Sequence, residues 1–199
     1  FMTEISPELG KRFVQPAVEI FVGIPSVVYG WLGLTLLVPL IKDIFHLRFG
    51  FSVLAAGIVL AVMIFPTITS LAADALRSIP QGYRAASYGL GATRWQTIAK
   101  VVVPAAVTGL MTAVILGLAR AFGEALAVAM VIGKMRAFPT GILSPTNNLT
   151  AAIAADMGGA MEGSEYNIAL WTMALLLFII SLACIFTIHC LGNKGGEKA

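Results

Sequence analysis

The sequence predicts an all-α membrane protein with four transmembrane helices, and three observations carry that prediction. Hydrophobic residues make up 58% of the 199 and charged residues only 12%, about half the charge usual in a soluble domain. Mean hydropathy is +0.90. The apolar residues also fall in runs of the length a helix needs to cross the hydrocarbon core, about 20 residues. Together these exclude a disordered chain, a disulfide-stapled secreted domain and a water-soluble globule. In lipid a single apolar run must satisfy its own backbone, so each run is read as a helix.

The first span runs from about Ala17 to Leu40 and contains Pro25; the second runs from Phe51 to about Ala73 and contains Pro66. A proline inside a helix frees a carbonyl and kinks the axis, a feature commoner in membrane helices than in soluble ones. The third apolar stretch, from about Val101 to Gly133, is too long for one crossing at about 1.5 Å per residue. It is expected to be tilted, broken near its glycines or extended beyond the bilayer. The fourth span runs from Ile168 to Leu191 and holds both cysteines, Cys184 and Cys190, read as small apolar fillers.

The formal charge of +3 and pI near 9.0 do not indicate a nucleic-acid partner, because the basic residues never cluster. They report topology instead. Lys11, Arg12, Arg77, Arg84, Arg94, Lys100, Lys194 and Lys198 fall on one side of the membrane, against Lys42, Arg48, Lys134 and Arg136 on the other. The positive-inside rule then puts the N-terminal segment, the 74–100 loop and the C-terminus in the cytoplasm.

Within the third stretch, Ala105, Gly109, Ala113, Gly117, Ala121, Ala125, Ala129 and Gly133 recur at every fourth position. Small residues at this spacing let helix backbones approach closely. A four-residue repeat drifts around a 3.6-residue helix, so several neighbours are expected to share the row and make this stretch the packing centre.

Three ionisable residues lie inside apolar runs: Glu19, Arg120 and Glu124. Glu19 is near a span end and reads as interfacial. Arg120 and Glu124 are four apart, which puts their side chains on one face of a continuous helix. Intramembrane charges face a protein interior or a water-filled path, and Arg offers a permanently charged fork to an oxyanion. Arg120 is therefore a candidate lining for an anion pathway, with Glu124 orienting it and moderating its attraction. The alternative is a self-neutralising pair that staples this span to its neighbours.

The segment 76–96, followed by Thr97-Ile-Ala-Lys-Val-Val-Val-Pro104, is expected to form a short helix around Ala85, Ala86, Tyr88 and Leu90. Gly91-Ala92-Thr93 would end that helix and cap the next. Such a pair under the membrane is a docking surface or a plain connecting hairpin, and composition does not separate the two.

This loop resembles the coupling loop of bacterial ATP-binding-cassette importer permeases, in which Glu-Ala-Ala is followed by a Gly and, further on, Ile-x-Leu-Pro. Gly91 and Pro104 take the family's Gly and Pro, Ala86 and Ser87 its two alanines, and Val101 and Val103 its Ile and Leu. Ala85 stands where the family has Glu, a departure from the pattern. Residues 23–33 (GIPSVVYGWLG) and 122–133 (FGEALAVAMVIG) resemble the phosphate importer's permease subunit of the PstC type, and the likeness runs over essentially the whole chain.

That resemblance implies a single permease domain over 1–199, belonging to a six-helix core with its cytoplasmic coupling helix at 76–98 and two further helices expected before Phe1. It implies ATPase coupling through Arg84, Ala85, Ala86, Ser87, Gly91, Ala92 and Pro104, and phosphate translocation past Arg120 and Glu124. The implied partners are a second permease subunit, ATPase subunits, a periplasmic phosphate-binding protein and membrane lipid, in the bacterial inner membrane. The external segment 134–167 is a candidate contact for the binding protein. The chain has no Gly-x-x-x-x-Gly-Lys-Ser/Thr loop, His-Glu-x-x-His pair or Gly-x-Ser-x-Gly elbow, so neither catalysis nor a cofactor is expected of it. A permease for molybdate or sulfate, and an ATP-independent anion carrier or channel, remain the alternatives.

Overall fold

The structure, a computed structural model, describes residue 8 and residues 10–196. Among these it is helical throughout its ordered elements. In chain order they are α1 (Gln15–Gly23), α2 (Ser26–Ile44), α3 (Val53–Arg77), α4 (Gln81–Gly89), α5 (Arg94–Ala105), α6 (Val107–Gly123), α7 (Leu126–Val131), α8 (Leu149–Asp156) and α9 (Glu165–Gly196). By length and composition α2, α3 and the Glu165–Thr187 part of α9 can each cross a membrane. The pair α5 and α6 passes the same test only when taken together; bent by 67° at a short break, it has the form of either a broken span or a re-entrant loop.

Two expected spans are redrawn. The stretch Ala17–Leu40 is not one helix: α1 ends at Gly23 and the spanning helix begins at Ser26. Pro25, at φ −57° and ψ 140°, has no N–H to continue the ladder, and the residue before a proline is pushed out of the α region. Here proline ends a helix rather than kinking it. Pro66, by contrast, sits inside the unbroken α3. The stretch 101–133 is broken twice, at Ala106 and at Glu124–Ala125; of the three expected outcomes it is the break that occurs, and only the second break adjoins a glycine, Gly123.

Three further prolines follow a local rule. Wide π turns occupy Gly10–Val14, Gly33–Leu37 and Ile98–Val102. Each is followed two residues later by a proline: Pro16, Pro39 and Pro104. A proline ring clashes with the carbonyl four residues back; those carbonyls belong to Arg12, Thr35 and Lys100, all within the wide turns. Opening the turn by one residue moves that carbonyl away from the ring, so the chain stays helical where Pro25 breaks it.

The chain folds into two compact units. One comprises Ile24–Ile64 and Ala119–Ala183. Its apolar core joins Tyr29, Val38 and Ile41 of α2 to Ala55, Val59 and Met63 of α3 and Ala127, Val128 and Val131 of α7. Small residues permit this: a Cβ on Gly33 would stand 2.7 Å from Val59 Cγ2 and 2.9 Å from Val131 Cγ1.

The other unit contains α1, Phe65–Leu118 and the end of α9 from Cys184. Val18, Ala73, Val102, Ala106 and Ala113 are buried there. A Cβ on Gly109 of α6 would meet the Ala75 Cβ of α3 at 2.7 Å. The four-residue row of small residues therefore does not form one ridge. Helix breaks divide it among α5, α6, α7 and the Gly133 turn; Ala113 and Gly117 are buried, whereas Ala105 is exposed.

Candidate functional site

Helix α4 begins at Gln81 after Pro80 (φ −55°, ψ 140°). Its end is a Schellman motif: Ala92 N–H donates to the Ser87 carbonyl at 3.2 Å and Gly91 N–H to the Tyr88 carbonyl at 2.9 Å. That closure needs a left-handed residue, and Gly91 supplies it at φ +80°. Helix α5 then starts on a reciprocal capping box. Thr93 Oγ1 accepts from Gln96 N–H at 3.3 Å, and Gln96 Oε1 accepts from Thr93 N–H at 2.9 Å. The expectation that Gly91-Ala92-Thr93 stops one helix and caps the next is met.

The helix pair is locked from within. Ser87 and Thr97 are both buried, and their hydroxyls lie 2.9 Å apart. Outside, Tyr83, Tyr88 and Trp95 are exposed and Leu90 is 90% exposed. An open cleft of about 350 Å³ is lined by Ser87, Leu90, Gly91, Ala92, Gln96, Lys100 and Val101. Ala85 and Ala86 face outward with these side chains, so the position where the resemblance carries Glu is a surface one. Pro104 is exposed and follows the wide turn Ile98–Val102. Arg84 is half-buried and turned back toward the end of α3.

The charged pair departs from the expected arrangement. Helix α6 ends at Gly123, so Arg120 lies in its last turn while Glu124 lies beyond it; the two do not share one continuous helical face. Glu124 is half-buried and lies just before the next helix, whose N-cap is Ala125. Its Oε1 accepts from Ala127 N–H at 3.0 Å, and its own carbonyl accepts from Thr150 Oγ1 at 2.7 Å. Arg120 is exposed, sits where a cation suits the helix dipole, and lies within electrostatic reach of the buried Tyr29. Glu19 is exposed on α1 and accepts from Gln15 Nε2 at 2.9 Å.

Sequence reasoning missed a third constellation. Asp156, at the end of α8, accepts from Arg136 Nη2 at 3.0 Å and from the Tyr166 hydroxyl, and the Arg136 guanidinium lies 4.3 Å from the Tyr166 ring centre. These residues are 10 and 20 positions apart, and no local pattern joins them. Among the described residues no cluster of His, Cys, Asp or Glu could hold a metal ion.

Comparison with known proteins bears directly on this loop. Residues 5–191 match the binding-protein-dependent transport system inner membrane component family. The chain belongs to that family.

As a member it is a multi-pass inner-membrane protein. It is 54% identical over 194 residues to a probable ABC transporter permease protein, YqgH, of Bacillus subtilis, covering 98% of this chain and 63% of that one. It is 35% identical to the phosphate transport system permease protein PstC of Haemophilus influenzae, over 91% of this chain and 63% of the relative. An archaeal relative, the probable PstC of Methanocaldococcus jannaschii, is 31% identical over 92% of this chain and 62% of its own length. The chain thus spans a little under two thirds of these relatives. No solved structure matches it.

The helix pair brings Arg84 through Ala92 together in one capped element. Arg120 and Glu124 are four positions apart in sequence, but one lies in the last turn of α6 and the other beyond it.

Proposed function

We propose that this chain is the substrate-pathway part of a permease subunit in an ATP-driven importer that moves inorganic phosphate across the bacterial inner membrane. The observation that carries the reading is the match to PstC phosphate permeases at 35% identity over 91% of the chain, joined to a capped, internally locked helix pair with an exposed aromatic and apolar surface. The chain performs no chemistry; ATP is hydrolysed by separate subunits that dock on 76–98, against Tyr83, Ala85, Ala86, Tyr88 and Leu90. The second permease subunit completes the pathway, and a periplasmic phosphate-binding protein delivers the anion to the face that carries 134–167. The N-terminal segment of the chain, the helix pair and the C-terminus face the cytoplasm, as the distribution of Lys and Arg favours. Residues 1–199 act as one permease domain.

In this reading Arg120 draws phosphate into the pathway by charge and hydrogen bonding. Glu124 keeps the attraction short of trapping, since conduction requires that the anion leave. The test is ATP-dependent uptake of radiolabelled phosphate by proteoliposomes holding the assembled transporter. Uptake competed by phosphate but not by molybdate or sulfate supports the reading. Competition by molybdate or sulfate instead reassigns the substrate, and uptake without any ATPase overturns the importer assignment.

A further inference from the structure

Between the end of α3 at Arg77 and the start of α4 at Gln81 lie only Ser78, Ile79 and Pro80. Such a linker would ordinarily let α4 swing without moving α3. The last turn of a helix also leaves carbonyls without intrahelical partners, and here they are taken up in a particular way. Ser78 N–H donates to the Asp74 carbonyl at 3.0 Å and Ser78 Oγ to the Ala75 carbonyl at 2.8 Å. Two further carbonyls, those of Leu76 and Ile79, are claimed from α4. Arg84 Nη2 donates to the Leu76 carbonyl at 3.0 Å, and its Nη1 donates to the Ile79 carbonyl at 2.8 Å. One planar guanidinium therefore spans the linker and grips both the terminal turn of α3 and the linker itself.

We propose that Arg84 is a positioning residue that converts movement of α4 into movement of α3. The proposal rests on the reading that ATPase subunits dock on α4, and it gives Arg84 a different task from its neighbours. The exposed side chains of α4 meet the partner, whereas Arg84 faces inward and closes the hinge. Charge-assisted bonds from a rigid fork hold orientation as well as distance. The path continues beyond the clamp. Ala75, next to Leu76, lies so close to Gly109 that a Cβ there would stand 2.7 Å from the Ala75 Cβ. Gly109 belongs to α6, the helix that carries Arg120. A displacement at α4 thus has a contiguous route of backbone-anchored contacts into the helix bearing the pathway arginine, the kind of physical connection that coupling requires.

The experiment compares wild type, R84A and R84K in the assembled transporter in proteoliposomes, reading co-purification of the ATPase, ATP hydrolysis and phosphate uptake. The expected result is that R84A keeps its ATPase and hydrolyses ATP near the wild-type rate, while phosphate moved per ATP falls about tenfold. R84K, which keeps the charge on one flexible ammonium, falls between. Unchanged uptake per ATP in R84A overturns the clamp, and so does a parallel loss of hydrolysis and uptake, which is what a merely structural residue produces. Should R84A fail to assemble, the ratio in R84K decides on the same terms. Absence of ATP-driven uptake in wild type is a separate outcome: it overturns the functional reading and the clamp with it.

Discussion

Gly30 of α2 is in backbone contact with Ala127 of α7: a Cβ on Gly30 would stand 2.8 Å from the Ala127 Cα and 3.2 Å from its carbonyl oxygen. Met130 Sδ, also at 2.8 Å, can move aside, but the Ala127 backbone cannot. Gly30→Ala is therefore expected to lower stability by about 1–3 kcal/mol through overpacking, read as a fall in the thermal unfolding midpoint in detergent. Gly57 of α3 is the control, with open space around its Cβ position; Gly57→Ala leaves the midpoint unchanged or raises it, by helix propensity.

The buried Ser87–Thr97 hydroxyl pair makes a prediction of opposite character. Ser87→Ala alone deprives the buried Thr97 hydroxyl of this partner and costs about 1–3 kcal/mol. Replacing both, as Ser87→Ala with Thr97→Val, removes that hydroxyl too and recovers part of that loss. A double mutant no more stable than the worse single mutant would refute the account, and the four unfolding midpoints measure it.

What the sequence disclosed depended on the range of the interaction concerned. The helix pair was legible almost to the residue, because Gly91 and the Thr93-x-x-Gln96 box act within one turn. Spans were legible by length, although Pro25 ended a helix that hydropathy alone continued. The spacing of Arg120 and Glu124 was read as one helical face, and Gly123 and Glu124 broke it. A break near one of the glycines is legible, but nothing local selects Gly123; beyond it the Glu124 carboxylate accepts from Ala127 N–H and its carbonyl from Thr150 Oγ1, 26 positions away. The Arg136–Asp156–Tyr166 cluster was invisible for the same reason. Its members meet only after the chain has folded.

Glu124 holds two roles that substitution can separate. Glu124→Ala removes the bond to Ala127 N–H and costs about 1 kcal/mol, the usual worth of a cap. Glu124→Gln keeps an acceptor oxygen at the same reach and leaves the unfolding midpoint near wild type. Any change in phosphate uptake by the Gln variant then reports the lost charge alone. Equal stability loss in the two variants would show that the charge, not the cap, holds the junction between α6 and α7.

Asp156 gives the pH prediction. The hydrogen bond from Tyr166, with the bond and charge of Arg136 and the charge of Lys134, holds its carboxyl below the ordinary carboxylate value, against a smaller opposing effect of burial. A carboxyl with a depressed folded-state pKa contributes stability that is present above the unfolded value, about 3.9. That contribution is lost as pH falls through the lower folded-state value. The link from Arg136 through Asp156 to the start of α9 is therefore expected to hold from neutral pH down to the ordinary carboxylate range and, on acidification, to release only below it. Amide exchange across residues 134–164 measures it. Tyr166→Phe removes the largest cause and moves the onset of release to higher pH, toward the ordinary value. Asp156→Asn abolishes the acid-dependent step, since its amide does not titrate. An onset unmoved by Tyr166→Phe would mean that Arg136 and Lys134, rather than the tyrosine hydroxyl, set the carboxyl's titration.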